Sequence, residues 1–158
     1  MEAREILITN LSELPSKHIC KHEPYEYIKS TVLSKNDEND CCVAFYQIPP
    51  GKSNYPYHYH ITVTEVFYII SGTGILETPS GQKVVTTGDV VILPANEAGA
   101  HKLSNPSESE TLLYLDFDTL DFPDVIFYPD SNKVGVAVSS KDAMFYKQDS
   151  DLDYYDGE

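Results

Sequence analysis

The chain has 158 residues, of which 41% are hydrophobic and 23% are charged, a composition that favours one globular domain over a disordered chain. Its 25 acidic residues outnumber its 11 basic residues, and the formal net charge of −14 makes nucleic acids and anionic membrane surfaces poor candidate partners. No apolar run is long enough to cross a membrane and the acidic N-terminus is unlike a secretory signal, so we expect a cytoplasmic protein.

The predicted elements along the chain are short strands. A weak helical segment at residues 11–17 comes first, and Pro15 within it disfavours a helix. Apolar runs rich in β-branched and aromatic residues then alternate with turns that contain glycine, proline or asparagine. The strand-like runs are Cys41–Ile48, Glu65–Ile70, Gly74–Glu77, Lys83–Thr86, Val90–Leu93 and Thr111–Phe117. This spacing predicts an all-β sandwich or barrel.

Three cysteines, Cys20, Cys41 and Cys42, have no spacing that indicates a disulfide framework. Cys41 and Cys42 open a predicted strand in which neighbouring side chains face opposite ways, so a buried or half-buried strand pair is favoured over redox chemistry. Cys20 alternates with His18 and His22 in a stretch that reads as a loop. That stretch is either a second metal site or a surface segment, and the lack of another ligand nearby favours the surface segment.

The strongest chemical signal is the run PYHYHITVTE at residues 56–65. Alternate side chains of an extended strand share a face, so His58 and His60 can converge on one point. Glu65 follows a short connection, and a chain reversal there would bring its carboxylate beside the two imidazoles on the neighbouring strand. Two imidazoles and a carboxylate are common ligands of a divalent transition metal, although a His-x-His pair on a surface strand often binds nothing.

A second stretch contributes another histidine, because residues 88–105 read GDVVILPANEAGAHKLSN. Together with residues 51–72 this stretch resembles the two sequence motifs of cupins. The motif residues occur in order as Gly51, His58, His60, Glu65, Gly72, Gly88, Pro94, His101 and Asn105. The matched motifs form a core at residues 51–105, and the strand pattern fits the same family over most of the remaining chain.

This chain departs from the usual motifs at three places. The spacer between Gly51 and His58 is one residue longer than usual. In the second motif, Asn96 stands where a glycine is usual, and two extra residues precede His101. We expect Gly99 to give this longer turn its flexibility. The direction in which the His101 side chain points depends on that turn.

The resemblance implies a double-stranded β-helix, the jelly-roll barrel of cupins, with a metal bound inside one end. The ligands that the resemblance implies are His58, His60, Glu65 and His101. A mixed set of imidazole and carboxylate ligands accepts Mn, Fe, Co, Ni, Cu or Zn, and the sequence does not choose among these metals. Four protein ligands on an octahedral metal would leave two positions for water or a bound molecule.

One cupin domain is predicted over residues 1–147, followed by an acidic tail at residues 148–158. Within the domain, residues 128–136 read YPDSNKVGV and predict a turn between two strands. The tail has five acids and no base, so we expect it to be solvated and mobile. The alternative is that Tyr154 and Tyr155 dock the tail on a partner or on the barrel.

Fold resemblance does not select a reaction, because cupins include enzymes, storage proteins and ligand-sensing modules. One hypothesis is a metalloenzyme of the dioxygenase, isomerase/epimerase or lyase type that acts on a small oxygenated or aromatic molecule. Its candidate pocket walls are Phe45, Tyr46, Phe67 and Tyr114. The alternative is a non-catalytic module that binds or senses a small ligand. A general acid or base beyond the metal ligands would favour an enzyme, and the sequence identifies none.

Many cupins pair through strands near the N-terminus, so the resemblance also implies a homodimer. The segment at residues 25–33 is the candidate for this pairing. Together with the acidic charge, the resemblance therefore predicts a small-molecule ligand and a second copy of the chain as partners, and neither nucleic acid nor membrane.

Overall fold

The computed structural model describes residues 6–36, 38–149 and 152–157. These residues form β-strands and three short 3-10 helices, with no α-helix among them. The strands are β1 (Ser16–His22), β2 (Tyr25–Leu33), β3 (Cys41–Ile48), β4 (Tyr59–His60), β5 (Glu65–Ser71), β6 (Thr73–Thr78), β7 (Gly81–Thr86), β8 (Val90–Leu93), β9 (Lys102–Ser104), β10 (Leu112–Thr119), β11 (Asp124–Tyr128), β12 (Lys133–Ala137) and β13 (Ala143–Lys147). The 3-10 helices are Leu11–Glu13, Glu97–Gly99 and Pro129–Ser131. The all-β prediction is confirmed.

The strands pack as two layers. One layer is a six-stranded antiparallel sheet in the order β1-β2-β3-β10-β5-β8. The other layer contains a four-stranded sheet, β13-β12-β11-β4, and a three-stranded sheet, β7-β6-β9. His58 and His101 join these two sheets by exchanging backbone hydrogen bonds of 3.0 and 2.9 Å. The result is a double-stranded β-helix, as predicted, with two of the candidate ligands at the junction within one layer.

An apolar core fills part of the space between the layers. Its members alternate along their strands with residues that face outward. The core consists of Tyr27, Ala44, Tyr46, Ile48, Phe67, Ile69, Leu76, Val85, Leu93, Leu103, Leu112 and Tyr114. Each large apolar side chain buried here stabilises the fold by about 1.5–3 kcal/mol. Along β10 the inward residues change from Leu112 and Tyr114 to Asp116 and Asp118, so the space between the layers becomes polar toward one end.

All six strand-like runs predicted from the sequence are strands, and their ends shift by no more than two residues. The predicted turn within residues 128–136 is also confirmed, because Pro129–Ser131 connects β11 to β12. The prediction of a weak helical segment at residues 11–17 is wrong. Only Leu11–Glu13 forms a 3-10 turn, and β1 already begins at Ser16. Pro15 explains this difference, since it disfavours helical conformation at the residue before it.

The segment that contains His18, Cys20 and His22 is strand β1 rather than a loop. Solvent-exposed residues occupy almost all of this edge strand, so it lacks the apolar alternation by which a strand is recognised in a sequence. His18 Nε2 lies 2.9 Å from the carboxylate of Glu26 on β2. No converging group of three metal-ligating side chains involves β1 in the described part of the chain, which agrees with the preferred surface interpretation.

Strand β2 lies between β1 and β3, so both of its edges are already paired within one chain. Two copies therefore cannot pair edge to edge through residues 25–33, and the homodimer stays a prediction. In the tail, Tyr154 and Tyr155 are exposed and pack on each other with ring centroids 5.0 Å apart. The domain boundary at residue 147 and the mobility of the tail also stay predictions. Within the described ranges, no helix is long and apolar enough to cross a membrane.

Candidate metal centre and cavity

Three imidazoles and one carboxylate converge at the polar end of the barrel. His58, His60 and Glu65 each offer one ligand atom, and these atoms lie within 4.8 Å of one another. Nε2 of His60 is 3.9 Å from Oε1 of Glu65, and Nε2 of His101 is 3.5 Å from Oε2 of the same carboxylate. The ring of His101 lies 4.7 Å from that of His58, between centroids. The structure thus brings together all four side chains that were singled out in the sequence.

The strand geometry of the histidine pair is as expected, whereas the position of Glu65 differs from the expectation. Tyr59 turns away from its two neighbours and stacks on Phe127 at 5.0 Å, which places His58 and His60 on the opposite side. Glu65 is the first residue of β5, and β5 belongs to the six-stranded layer while β4 belongs to the other layer. Its carboxylate therefore faces the histidines across the barrel, because residues 61–64 cross between layers instead of forming a reversal within one sheet.

Two of the imidazoles are oriented by backbone carbonyl groups. Nδ1 of His58 lies 2.8 Å from the carbonyl oxygen of Pro56, and Nδ1 of His101 lies 2.9 Å from that of Gly99. A carbonyl oxygen only accepts, so in both rings Nδ1 carries the proton and donates it. Nε2 of each ring is then left with a free lone pair. Metal-binding histidines in proteins are commonly fixed in this way.

The third imidazole is oriented by a buried carboxylate, Asp124, which lies outside both sequence motifs. Oδ2 of Asp124 is 2.5 Å from Nδ1 of His60. Oδ1 accepts hydrogen bonds from the backbone N–H groups of Ile61 and Thr62, at 3.2 and 3.1 Å, and from the Thr62 hydroxyl at 3.0 Å. Asp124 is fully buried, and the hydrogen bonds that its carboxylate accepts from residues 60–62 hold the segment that carries His60.

The electrostatic environment keeps two histidines neutral. Burial, with the neighbouring charges of His101 and His60, lowers the pKa of His58 to about 3. Burial likewise lowers the pKa of His101 to about 4, against the opposing effect of its hydrogen bond to Gly99. Only a neutral imidazole can donate a lone pair to a metal, so both rings are in the binding-competent state at neutral pH.

The other two side chains of the centre, His60 and Glu65, have raised pKa values, and Asp124 contributes to both shifts. Burial opposes a charge on His60, but the hydrogen bond to Asp124 and the charge of Glu65 outweigh it and raise the pKa of His60. Burial also opposes the charge on Asp124, and the hydrogen bond to His60 overcomes it, so the pKa of Asp124 is lowered. Burial raises the pKa of Glu65 to about 7, although the charge of His60 acts against this shift. A cation at this point would favour the ionised form of Glu65.

The turn before His101 shows which residue takes the place of the missing glycine. Asn96, not Gly99, adopts the positive φ that glycine favours, with φ 73° and ψ −178°. Gly99 is required for a different reason, because a Cβ atom there would lie 1.8 Å from the carbonyl oxygen of Pro94. The expectation that Gly99 supplies flexibility is therefore wrong. Gly99 provides space for a close backbone contact, and its carbonyl group orients His101.

Replacing Gly99 with alanine is expected to lower both the stability and the metal content of the protein. The added methyl group cannot fit without moving the backbone that carries the acceptor for His101, and such overpacking costs about 1–3 kcal/mol. Thermal unfolding should record a fall of several degrees, and elemental analysis should record less bound metal. Ala98→Gly changes the same turn at an exposed position and is the control, for which we expect little change in either quantity. Wild-type behaviour of Gly99→Ala would show that the turn has room for a side chain.

A cavity of about 420 Å³ opens above the centre and is lined by His58, His60 and Glu65. Its aromatic walls are only partly those expected from the sequence. Its other lining residues are Lys29, Thr31, Leu33, Ser34, Lys35, Cys42, Val43, Ala44, Tyr46, Tyr55, Asp116, Asp118, Ile126 and Tyr128.

Of the four aromatic candidates for its walls, only Tyr46 lines the cavity. Tyr114 stacks on Tyr46 at 5.2 Å within the core, and Phe67 packs against the ring of His101 at 5.4 Å. Phe45 is adjacent to Tyr46 on β3, so strand alternation turns it to the other face. Tyr55 and Tyr128 line the cavity instead, and the sequence did not identify either of them as a wall residue.

The cysteine pair behaves as a half-buried strand pair, as expected. Cys41 and Cys42 are both partly buried at the start of β3. The thiol of Cys42 donates to Oδ2 of Asp118 at 3.3 Å. Burial and the charge of Asp118 raise the pKa of Cys42 to about 12, so its reactive thiolate form is disfavoured at neutral pH.

Comparisons with known proteins agree with this fold. The sequence profile of the family described as Cupin domain matches residues 44–118. A protein of Acidithiobacillus ferrooxidans, provisionally described as a sugar phosphate isomerase, has a similar structure, with a TM-score of 0.79, 24% identity, and coverage of 93% of this chain and 95% of its own. A cupin of Silicibacter pomeroyi described as a sugar phosphate isomerase has a TM-score of 0.77, 17% identity, and coverage of 95% and 98%.

A third similar structure is that of a predicted oxalate decarboxylase of Thermotoga maritima. Its TM-score is 0.62 at 23% identity, and the alignment covers 73% of this chain and 100% of the other. A sequence comparison with curated proteins found no match. At these levels of identity the structural similarity shows the fold and leaves the chemistry to be argued from the site itself.

Proposed function

We propose that this chain, whose residues 44–118 match the profile of the cupin domain, is a cupin that binds and acts on a small, oxygenated, anionic molecule at a metal ion inside the barrel. The proposed metal ligands are His58, His60, Glu65 and His101. The observation that supports this proposal most directly is that every imidazole has an acceptor at Nδ1, which leaves Nε2 free beside a buried carboxylate. A divalent transition metal, when bound there, would act as a Lewis acid on an oxygen of the ligand.

The charge balance of the centre also fits a cation. Only 12% of the Glu65 side chain is exposed, and two of its neighbours, His58 and His101, are neutral histidines. Burying an ionised carboxylate without a compensating positive charge is costly, and a divalent cation supplies that charge. The ligand set suits Mn, Fe, Co, Ni, Cu and Zn better than Mg or Ca, which prefer oxygen ligands.

The lining of the cavity supports an oxygenated anion as the ligand. Two lysines, Lys29 and Lys35, border the cavity, although acids greatly outnumber bases in the chain. No carboxylate of the described residues lies within 4.0 Å of either ammonium group. Hydroxyl groups of Thr31 and Ser34 line the same region. These groups suit a phosphate or carboxylate, and the two similar structures described as sugar phosphate isomerases make a sugar phosphate the first candidate to test.

Metal content and metal-dependent ligand binding test this function together. Protein purified without a metal-affinity tag should contain about one transition metal per chain by elemental analysis. Ribose 5-phosphate should then raise the melting temperature of the metal-loaded protein by several degrees, because a ligand at 100 times its Kd stabilises the folded state by about 2.7 kcal/mol. The control is the same titration after removal of the metal with EDTA, where we expect a much smaller shift.

Each result has a defined meaning for the proposal. Absence of stoichiometric metal would show that the ligand assignment is wrong. Equal shifts with and without metal would place ligand binding away from the centre. Binding of ribose 5-phosphate without any chemical conversion, followed by NMR of the sugar, would favour the non-catalytic binding module over an isomerase.

A further inference from the structure

Two aspartates form an acidic wall of the cavity beside the candidate metal centre. Asp116 and Asp118 are alternate residues of β10, so both side chains project from the same face of that strand. Asp118 pairs directly with Glu65 of β5, and Asp116 is the next inward residue along the strand. Both aspartates line the same cavity as His58, His60 and Glu65. Two carboxyl groups therefore lie on the wall adjacent to the proposed ligand Glu65.

The carboxyl group of Asp116 is costly to bury where it stands. Only 7% of the residue is exposed, and its Oδ1 atom has no hydrogen-bond partner in the described part of the chain. Oδ1 of Asp118 is likewise buried without a partner there. An unsatisfied buried polar atom costs about 1–3 kcal/mol. Burial and the nearby charges of Asp118 and Glu65 also raise the pKa of Asp116 well above its usual range.

Comparison with Asp124 indicates that Asp116 is not retained for stability. Both aspartates are buried, but the two oxygens of Asp124 receive hydrogen bonds from His60, Ile61 and Thr62. Asp116 has no such set of donors among the described residues, and its Oδ1 atom is left without a hydrogen-bond partner there. Buried polar groups that lack partners in a folded protein are characteristic of functional sites.

The unpartnered oxygens of Asp116 and Asp118 are free to accept hydrogen bonds from whatever occupies the cavity. A hydroxyl group complements these oxygens because it donates a hydrogen bond. An aliphatic or aromatic group at the same place would shield the carboxyl oxygens from water and leave them without hydrogen-bond partners. A site that is built to hydrogen-bond a hydroxyl group rejects analogues that lack it much more strongly than an apolar pocket does.

We propose that Asp116 contacts the bound molecule and, with Asp118, selects a polyhydroxylated ligand by hydrogen bonding one of its hydroxyl groups. This inference rests on the proposed function, because the ligand is taken to lie at the metal centre. It narrows the ligand to polyols and sugars that carry an anionic group. Asp116 is then a ligand-contacting residue beyond the metal ligands, and the sequence alone did not identify it.

A matched pair of ligands tests this selection. Ribose 5-phosphate and n-pentyl phosphate have the same anionic group and a five-carbon chain, but only the sugar has hydroxyl groups next to it. Isothermal titration of the metal-loaded wild type should show at least about tenfold tighter binding of ribose 5-phosphate. Asp116→Leu should reduce that preference at least about tenfold while the metal content stays the same. Asp121→Leu replaces an exposed aspartate and should leave the preference unchanged.

Thermal unfolding of the unligated variants separates a ligand-contacting role from a structural one. Asp116→Leu should melt at the same temperature as the wild type or higher, because it removes an unsatisfied buried carboxyl group. Asp116→Ala removes the carboxyl group without adding bulk, and it should reduce the ligand preference in the same direction if the leucine variant does not fold.

The possible outcomes distinguish this inference from the proposed function. A wild type that binds both phosphates equally, or variants that keep the wild-type preference, would overturn the role of Asp116 while the metal centre stands. A lower melting temperature of both variants with an unchanged preference would show that Asp116 is structural. A wild type without stoichiometric metal would overturn the proposed function, and the role of Asp116 with it.

Discussion

Replacing His58 and His60 together with alanine is expected to abolish stoichiometric metal binding, the largest single effect that the structure predicts. The double variant removes two of three imidazoles and leaves Glu65 with His101. Two protein ligands do not hold a transition metal against dilution and washing, since stable sites in proteins have three or four. Elemental analysis of untagged protein should fall from about one metal per chain to less than about a tenth of that.

The metal-free double variant should also lose the stability that the metal contributes. A metal present at 1,000 times its Kd stabilises the folded state by about 4.1 kcal/mol, and a variant that cannot bind it loses this amount. The chain offers a matched control, because His18→Ala/His22→Ala removes two exposed histidines of β1. We expect the control to retain its metal and its melting temperature. Metal retention by His58→Ala/His60→Ala, or metal loss by the control, would show that the centre lies elsewhere.

The centre was predictable from the sequence to the extent that its geometry is local. His58 and His60 share a face because strand alternation acts over two residues, and the structure shows that alternation at Tyr59. Placing His101 required the family motif, since its backbone bridge to His58 joins distant parts of the chain. The prediction that Glu65 lies on the strand next to the histidine pair was wrong. A short connection in the sequence does not reveal whether the chain turns back within one sheet or crosses to the other layer.

The residues that the sequence did not reveal are those whose roles depend on distant partners. Asp124 lies outside both motifs, and only the antiparallel pairing of β4 with β11 brings it to His60. Asp116 belongs to an ordinary alternating strand pattern, and its significance comes from burial without hydrogen-bond partners. At Asn96 the motif departure was visible, but the sequence did not show that this asparagine adopts the glycine-like backbone itself.

Asp124 is expected to be the most important residue of the site outside the proposed ligands. Replacing it with alanine leaves the N–H groups of Ile61 and Thr62 and Nδ1 of His60 without their acceptor. Removing one partner of a buried charged pair typically costs about 3–5 kcal/mol. Loss of the group that orients a metal-binding histidine typically weakens metal binding about 10–100-fold. Asp124→Ala should therefore lose both stability and metal affinity.

Asp124→Asn separates these two effects. The amide oxygen can still accept from Ile61 and Thr62, so most of the stability should remain in urea unfolding experiments performed with EDTA. The amide nitrogen then faces Nδ1 of His60 and donates to it, which moves the ring proton to Nε2. That tautomer has no free lone pair at Nε2, the atom that faces the centre, so chelator competition should show an affinity at least about tenfold below wild type. Wild-type metal affinity in Asp124→Asn would mean that Asp124 supports only the fold and does not set the protonation of His60.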